Sequence, residues 1–94
     1  MQTSIVPKVI DTFPGTITAN RLFVSDAFSK NEKGINFSYR LESVVTVDGV
    51  ETVTVARADG VYLTPAQWAA WGTGGSDTEY ILDCVAANLG LTRA

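Results

Sequence analysis

The chain reads as an α+β protein: an antiparallel sheet of three to five strands, built around a hairpin over 35–58, followed by two C-terminal helices. Two observations predict this. From Ile35 to Val47 the side chains alternate. Ile35, Phe37, Tyr39 and Leu41 fall on one face, and Asn36, Ser38, Arg40 and Glu42 on the other, the period of a half-buried strand. After Leu63 the pattern changes to helix starts and stops.

The first segment, 1–14, is extended. Pro7 and Pro14 push the residues before them away from helical geometry. Ile5, Val6, Val9, Ile10 and Phe13 are nonetheless apolar. The segment is therefore either an edge strand of the same domain or an arm that docks on a neighbouring subunit. On the arm reading, removing residues up to Ile10 leaves the domain folded.

Pro14-Gly15 marks a turn, and Thr16–Val24 is a second strand rich in β-branched and aromatic residues. Its alternation breaks at Ala19-Asn20-Arg21, where a bulge would fit. Ser25–Gly34 is polar and reads as a loop, the mobile tip of the molecule, with Phe28 as its anchor. Asn36-Phe37-Ser38 matches a glycosylation sequon but lies in a strand, so the match is read as chance.

The hairpin turns at Asp48-Gly49 and returns through Val50–Ala58. A two-residue loop places Val47 opposite Val50 and Arg40 opposite Arg57, a like-charge pair. A three-residue loop with Gly49 left-handed pairs Thr46 with Val50 and Leu41 with Val55. It gathers one apolar face, and is the preferred register. Asp59-Gly60 reads as a further turn, and Val61-Tyr62-Leu63 as a short strand or connection.

Thr64-Pro65-Ala66-Gln67 carries a capping box with proline at the first helical position, and starts a helix of about two turns ending near Gly72. Ser76-Asp77-Thr78-Glu79 is a second capping box. The helix that follows, Tyr80–Leu89, has the apolar stripe Ile81, Leu82, Val85, Ala86 and Leu89. Gly90 stops it, with Leu91 folding back in a Schellman motif. Thr92, Arg93 and Ala94 are expected to fray.

The 94 residues suit one domain, with 46% hydrophobic and 18% charged residues. That balance suggests that something else covers part of the surface. The net charge is −3, and the seven basic residues are scattered, which argues against a nucleic-acid partner. Histidine is absent, so a Ser-His-Asp triad is impossible. The single cysteine, Cys84, forms no intrachain disulfide and no thiolate metal cluster. It lies beside the helical stripe as a small buried hydrophobe. No apolar run is long enough for a signal peptide or a membrane helix.

Gly72–Gly75 precedes a helix, as phosphate loops do. It lacks their lysine, and Asp77 and Glu79 would repel an anion, so it reads as a linker. Those carboxylates with Asp83 complement the helix dipole or face solvent instead of holding a metal. No catalytic residue, cofactor site or metal site is expected. Trp68 and Trp71, three apart on a short helix, are either core residues or partner anchors. The interface candidates are Ile5, Val9, Phe13, Trp68 and Trp71.

The C-terminal third, from Tyr62-Leu63-Thr64 through Gln67-Trp68, Tyr80-Ile81-Leu82 and Val85-Ala86 to Leu89-Gly90-Leu91, resembles small virion structural proteins of tailed bacteriophages. The resemblance implies an enzyme-free chain that assembles in the host cytoplasm into a virion part (head, neck, tail or decoration). Its partners would be itself, as a homo-oligomer, and other virion proteins. The alternative is a small binding or inhibitor module aimed at a host protein, and a small enzyme is the third class.

Overall fold

The computed structural model describes residues 1–12, 15–70 and 77–94. Four strands follow one another as an antiparallel meander: β1 (Gln2–Asp11), β2 (Thr16–Asn31), β3 (Gly34–Val47) and β4 (Val50–Leu63), in the spatial order β1-β2-β3-β4. Helices α1 (Pro65–Ala69) and α2 (Asp77–Asn88) follow. The fold is α+β, as the sequence predicts.

The core lies between one face of the sheet and α2. Leu22 and Val24 of β2, Ile35, Phe37, Tyr39 and Leu41 of β3, and Val61 and Leu63 of β4 meet Ile81, Leu82, Val85 and Ala86 of α2. Burying a side chain of this kind contributes about 1.5–3 kcal/mol, so the face fixes the register of every strand that crosses it. Cys84 is buried within the same cluster.

Residues 2–11 are an edge strand. Gln2–Ser4 pair with Phe23–Arg21, Lys8–Asp11 pair with Ala19–Thr16, and an irregularity between them lies opposite Asn20. The break of alternation at Ala19-Asn20-Arg21 marks that place in the sequence. Ile5 and Ile10 are 2% and 3% exposed in the protein's own core, so β1 is not a detachable arm. Prolines did not free the segment, because Pro7 sits in the irregularity, where its missing N–H leaves no ladder bond unmade.

The polar stretch 25–34 is not a loop. β2 runs through it to Asn31 and pairs Phe28 with Phe37 and Lys30 with Ile35, after a bulge between Val24 and Phe28. Only Glu32 and Lys33 turn, held by a bond from the Lys33 amide to Asn31 Oδ1 of 2.8 Å. Phe28 lies against Phe37 with ring centroids 5.4 Å apart and planes tilted by 42°, a contact with the core although its ring is half-exposed. Gly34 has φ +124°, and a Cβ there would overlap the Leu63 carbonyl oxygen, so the strand cannot start on any other residue without moving its neighbour.

The hairpin register differs from the preferred one. The loop has two residues, Asp48 (φ 52°) and Gly49 (φ 75°), and Val47 pairs with Val50. Both left-handed residues give the turn the twist of the strands it joins. The Arg40–Arg57 clash that argued against this loop does not arise. A bulge at Ala56 moves the pairing from Glu42–Val55 to Leu41–Arg57, so Arg40 faces Ala58. Asp59-Gly60 does not turn either. β4 passes straight through, with Asp59 Oδ1 taking the Gly60 amide at 2.7 Å.

In α1, Thr64 Oγ1 accepts from the Gln67 amide, and the Gln67 side chain accepts from Thr64 N–H, the capping box foreseen. The helix is one short turn, ending at Ala69, not two. The second capping box begins at Ser76 and lies outside the described residues. α2 closes with the Leu91 amide on the Ala86 carbonyl and the Gly90 amide on Ala87, a Schellman stop at left-handed Gly90. Residues 92–94 do not fray: they pair with β1, Val6 N–H donating to Thr92 O and Ala94 N–H to Ser4 O.

Two outcomes follow. Gly34→Ala should lower the unfolding free energy by about 2 kcal/mol or more, read from urea midpoints; an unchanged midpoint would remove the close approach to Leu63. Deleting residues 1–10 takes two core side chains and a strand with it, so the truncated chain should lack a cooperative thermal transition. A native-like melt would return residues 1–10 to the role of an arm.

Candidate interaction surface

The two halves of the sheet end at different heights. β2 is paired with β3 from Arg21–Glu42 to Asn31–Gly34. Past Glu42, β3 continues with β4 alone. Residues 43–54 are therefore a two-stranded ribbon beyond the last residue of β2 that pairs with β3. Two-stranded ribbons are marginal on their own, and three groups at its base brace this one.

Asn20 is the first. Its Nδ2 donates to the Val44 carbonyl at 2.9 Å, and its Oδ1 accepts from the Val44 amide at 2.8 Å. The side chain thus replaces one residue of strand pairing where β1–β2 and β3–β4 diverge. Asparagine is disfavoured inside strands, which is the signal that could have singled it out.

Glu42 is the second. It lies on the sheet face away from α2, yet is 3% exposed. Arg21 Nε reaches Glu42 Oε1 at 2.8 Å, Arg40 Nε reaches Oε2 at 3.3 Å, and Arg21 Nη1 extends to Glu51 at 3.0 Å. These hydrogen bonds hold the Arg21 guanidinium above its ordinary pKa, Glu42 contributing most and burial opposing it. Arg40 also lies over the Phe23 ring at 4.0 Å. The third brace is the Ala56 bulge, which twists the ribbon where it leaves the sheet.

Beyond the braces the ribbon exposes Val45, Val47, Val50, Val53 and Val55. Val47 and Val50 are 61% and 65% exposed on the helix side, and Val53 is 41% exposed on the other. One projecting hairpin thus carries exposed apolar side chains on both of its faces.

The opposite edge is covered at Ser4–Val6. Thr92–Ala94 cover β1, and Arg93 ties the tail down: Nε to Thr3 Oγ1 at 3.1 Å, Nη2 to Glu79 at 2.6 Å and Nη1 to Asp83 at 2.7 Å. Asp83 and Glu79 raise the Arg93 pKa. The two carboxylates read as dipole and solvent groups thus hold the C-terminus. Gln67 and Asn88 link the helices, and Asn88 Nδ2 also bonds the Tyr62 carbonyl at 2.8 Å.

The five interface candidates scatter. Ile5 is in the core, which removes it as a contact residue. Val9 is 61% exposed on β1. Trp68 is half-buried against the core, with the Lys30 ammonium 4.1 Å from its ring centroid. Phe13 and Trp71 lie outside the described residues. The ribbon valines were missed because their alternation looks the same whether or not a helix covers them.

A shallow depression lined by Phe23, Ser25, Ser38, Arg40, Ala58 and Asp59 lies on the sheet face away from α2. Its serines face no histidine, since the chain has none. No helix among the described residues is long and apolar enough to cross a membrane.

Asn20→Ala should leave the Val44 amide and carbonyl unpartnered at a cost of about 1–3 kcal/mol. Hydrogen exchange should quicken at ribbon amides from Ser43 to Thr54 more than in α2; a uniform change across the chain would show that Asn20 does not brace the ribbon specifically. Compared with family models, curated proteins and solved structures, the chain matches none.

Proposed function

We propose that this chain is a non-enzymatic structural assembly protein, a component of a bacteriophage particle, acting through protein–protein contacts. The observation that carries the reading is the ribbon: a chain of 94 residues extends a braced hairpin five of whose valines are exposed. Such a surface is costly in solution and useful only when covered. The phage particle enters through the resemblance of the C-terminal third to small virion proteins. The low charge fraction agrees with a surface largely covered in an assembly.

Electron microscopy of the purified full-length protein, with and without the other proteins of the particle, tests this. Rings, lattices or incorporation into particles are the expected result. A chain that stays a monomer or dimer and joins no particle would overturn the reading in favour of a binding or inhibitor module.

A further inference from the structure

We propose that the free edge of β4 pairs with the same edge of a second copy, antiparallel about a two-fold axis at Val53, joining two sheets into one. The inference rests on the assembly reading and names one of its contacts.

The direction of the main chain gives the register. Val44 turns its N–H and C=O away from β4, because Asn20 takes both. In an antiparallel ladder, residues facing each other turn their polar groups the same way relative to the shared gap. Val53 is the residue opposite Val44, so its N–H and C=O also point away, to the open side of β4. By alternation the same holds for Glu51 and Val55. Further along, the edge is already occupied, since Asp59 takes the Gly60 amide and Asn88 takes the Tyr62 carbonyl. The regular open stretch is thus 50–55, up to the Ala56 bulge, without proline or lysine, two residues that commonly guard an edge.

With Val53 on the axis, Val53 faces the partner's Val53, and Glu51 and Val55 face the partner's Val55 and Glu51. Every outward main-chain group of this stretch then finds a bond. Val53 and Val55 of both copies form one apolar cluster, while Thr52 meets the partner's Thr54 on the other face. Charge argues for a second copy over an unrelated strand. Among the described residues Asp48 and Arg57 are exposed and in no ion pair. They have opposite sign and lie on opposite sides of Val53 at nearly equal distance along the strand. A two-fold contact brings Arg57 beside the turn that carries the partner's Asp48, and the reverse pair at the other end. A two-fold contact uses the same β4 edge of both chains and so closes at two, while at the β1 edge Thr92–Ala94 already pair with Ser4–Val6.

The test uses the full chain. Sedimentation over a concentration series should show a species of twice the 10.1 kDa chain mass. Val53→Lys should abolish it with circular dichroism unchanged. Arg57→Glu should weaken it about tenfold, and Asp48→Asn in that background should restore part of the loss. Val53→Cys should give a disulfide-linked dimer on mild oxidation, with Cys84 buried and unreactive. A wild-type protein monomeric at every concentration overturns the inference. So does a dimer that survives Val53→Lys, or, should that variant misfold, a Val53→Cys chain that does not cross-link. Particles or rings formed equally by Val53→Lys keep the assembly reading and discard this contact; a cross-linked dimer that joins nothing larger keeps the contact and discards the assembly reading.

Discussion

Everything in this molecule depends on β3 being paired on both sides between Ile35 and Glu42 and on one side after it. The doubly paired part has a face that needs covering, and α2 covers it with Ile81, Leu82, Val85 and Ala86. Among the described residues no helix covers the singly paired part, and Val45, Val47, Val50 and Val53 stay in solvent. One strand thus supplies both the core and the exposed surface, and the boundary is set by two side chains. Asn20 ends the β2–β3 pairing by substituting for it, and Glu42 gathers Arg21 and Arg40 at the same level.

The Glu42 cluster decides between two uses of charge. A buried carboxylate carries a large desolvation penalty unless it is paired and hydrogen-bonded. Glu42 has an arginine on each oxygen, and both guanidinium groups keep access to water, so the penalty is offset without isolating a charge. Arg21 reaches on to Glu51 and therefore spans the base of the ribbon from β2 to β4. Arg93 acts in the same way at the other edge, joining β1 to α2 through Thr3, Glu79 and Asp83. Exposed pairs of this kind are individually weak; their effect is to fix where segments lie.

Helix signals were legible in the sequence because they are local. The Thr64–Gln67 box, the stripe of α2 and the Gly90 stop each need only a few adjacent residues, and the structure has all of them. The central hairpin was legible as a hairpin but not in register. Its clash between Arg40 and Arg57 is relieved by a bulge at Ala56, and alanine gives no sign of a bulge. Polarity misled at Ser25–Gly34, since β2 beyond Phe23 has no β1 beside it, and such an edge strand can be polar and exposed and still pair with β3. Arg93 closing the β1 edge needs contacts some ninety residues apart, which no window of sequence contains. The exposed surface was hidden for the same reason: Val45 and Val47 continue the alternation of Tyr39 and Leu41, and only the end of α2 distinguishes them.

Residue-resolved amide hydrogen exchange, at a concentration where the protein is monomeric, tests the central claim that an ordered ribbon with an open edge extends past the core. Thr52 and Thr54, bonded inward to β3, should exchange slowly relative to Glu51, Val53 and Val55, which face outward. If all five exchange at the rate of an unfolded chain, the ribbon is not formed; if all five are equally slow in the monomer, the edge of β4 is already covered and not open.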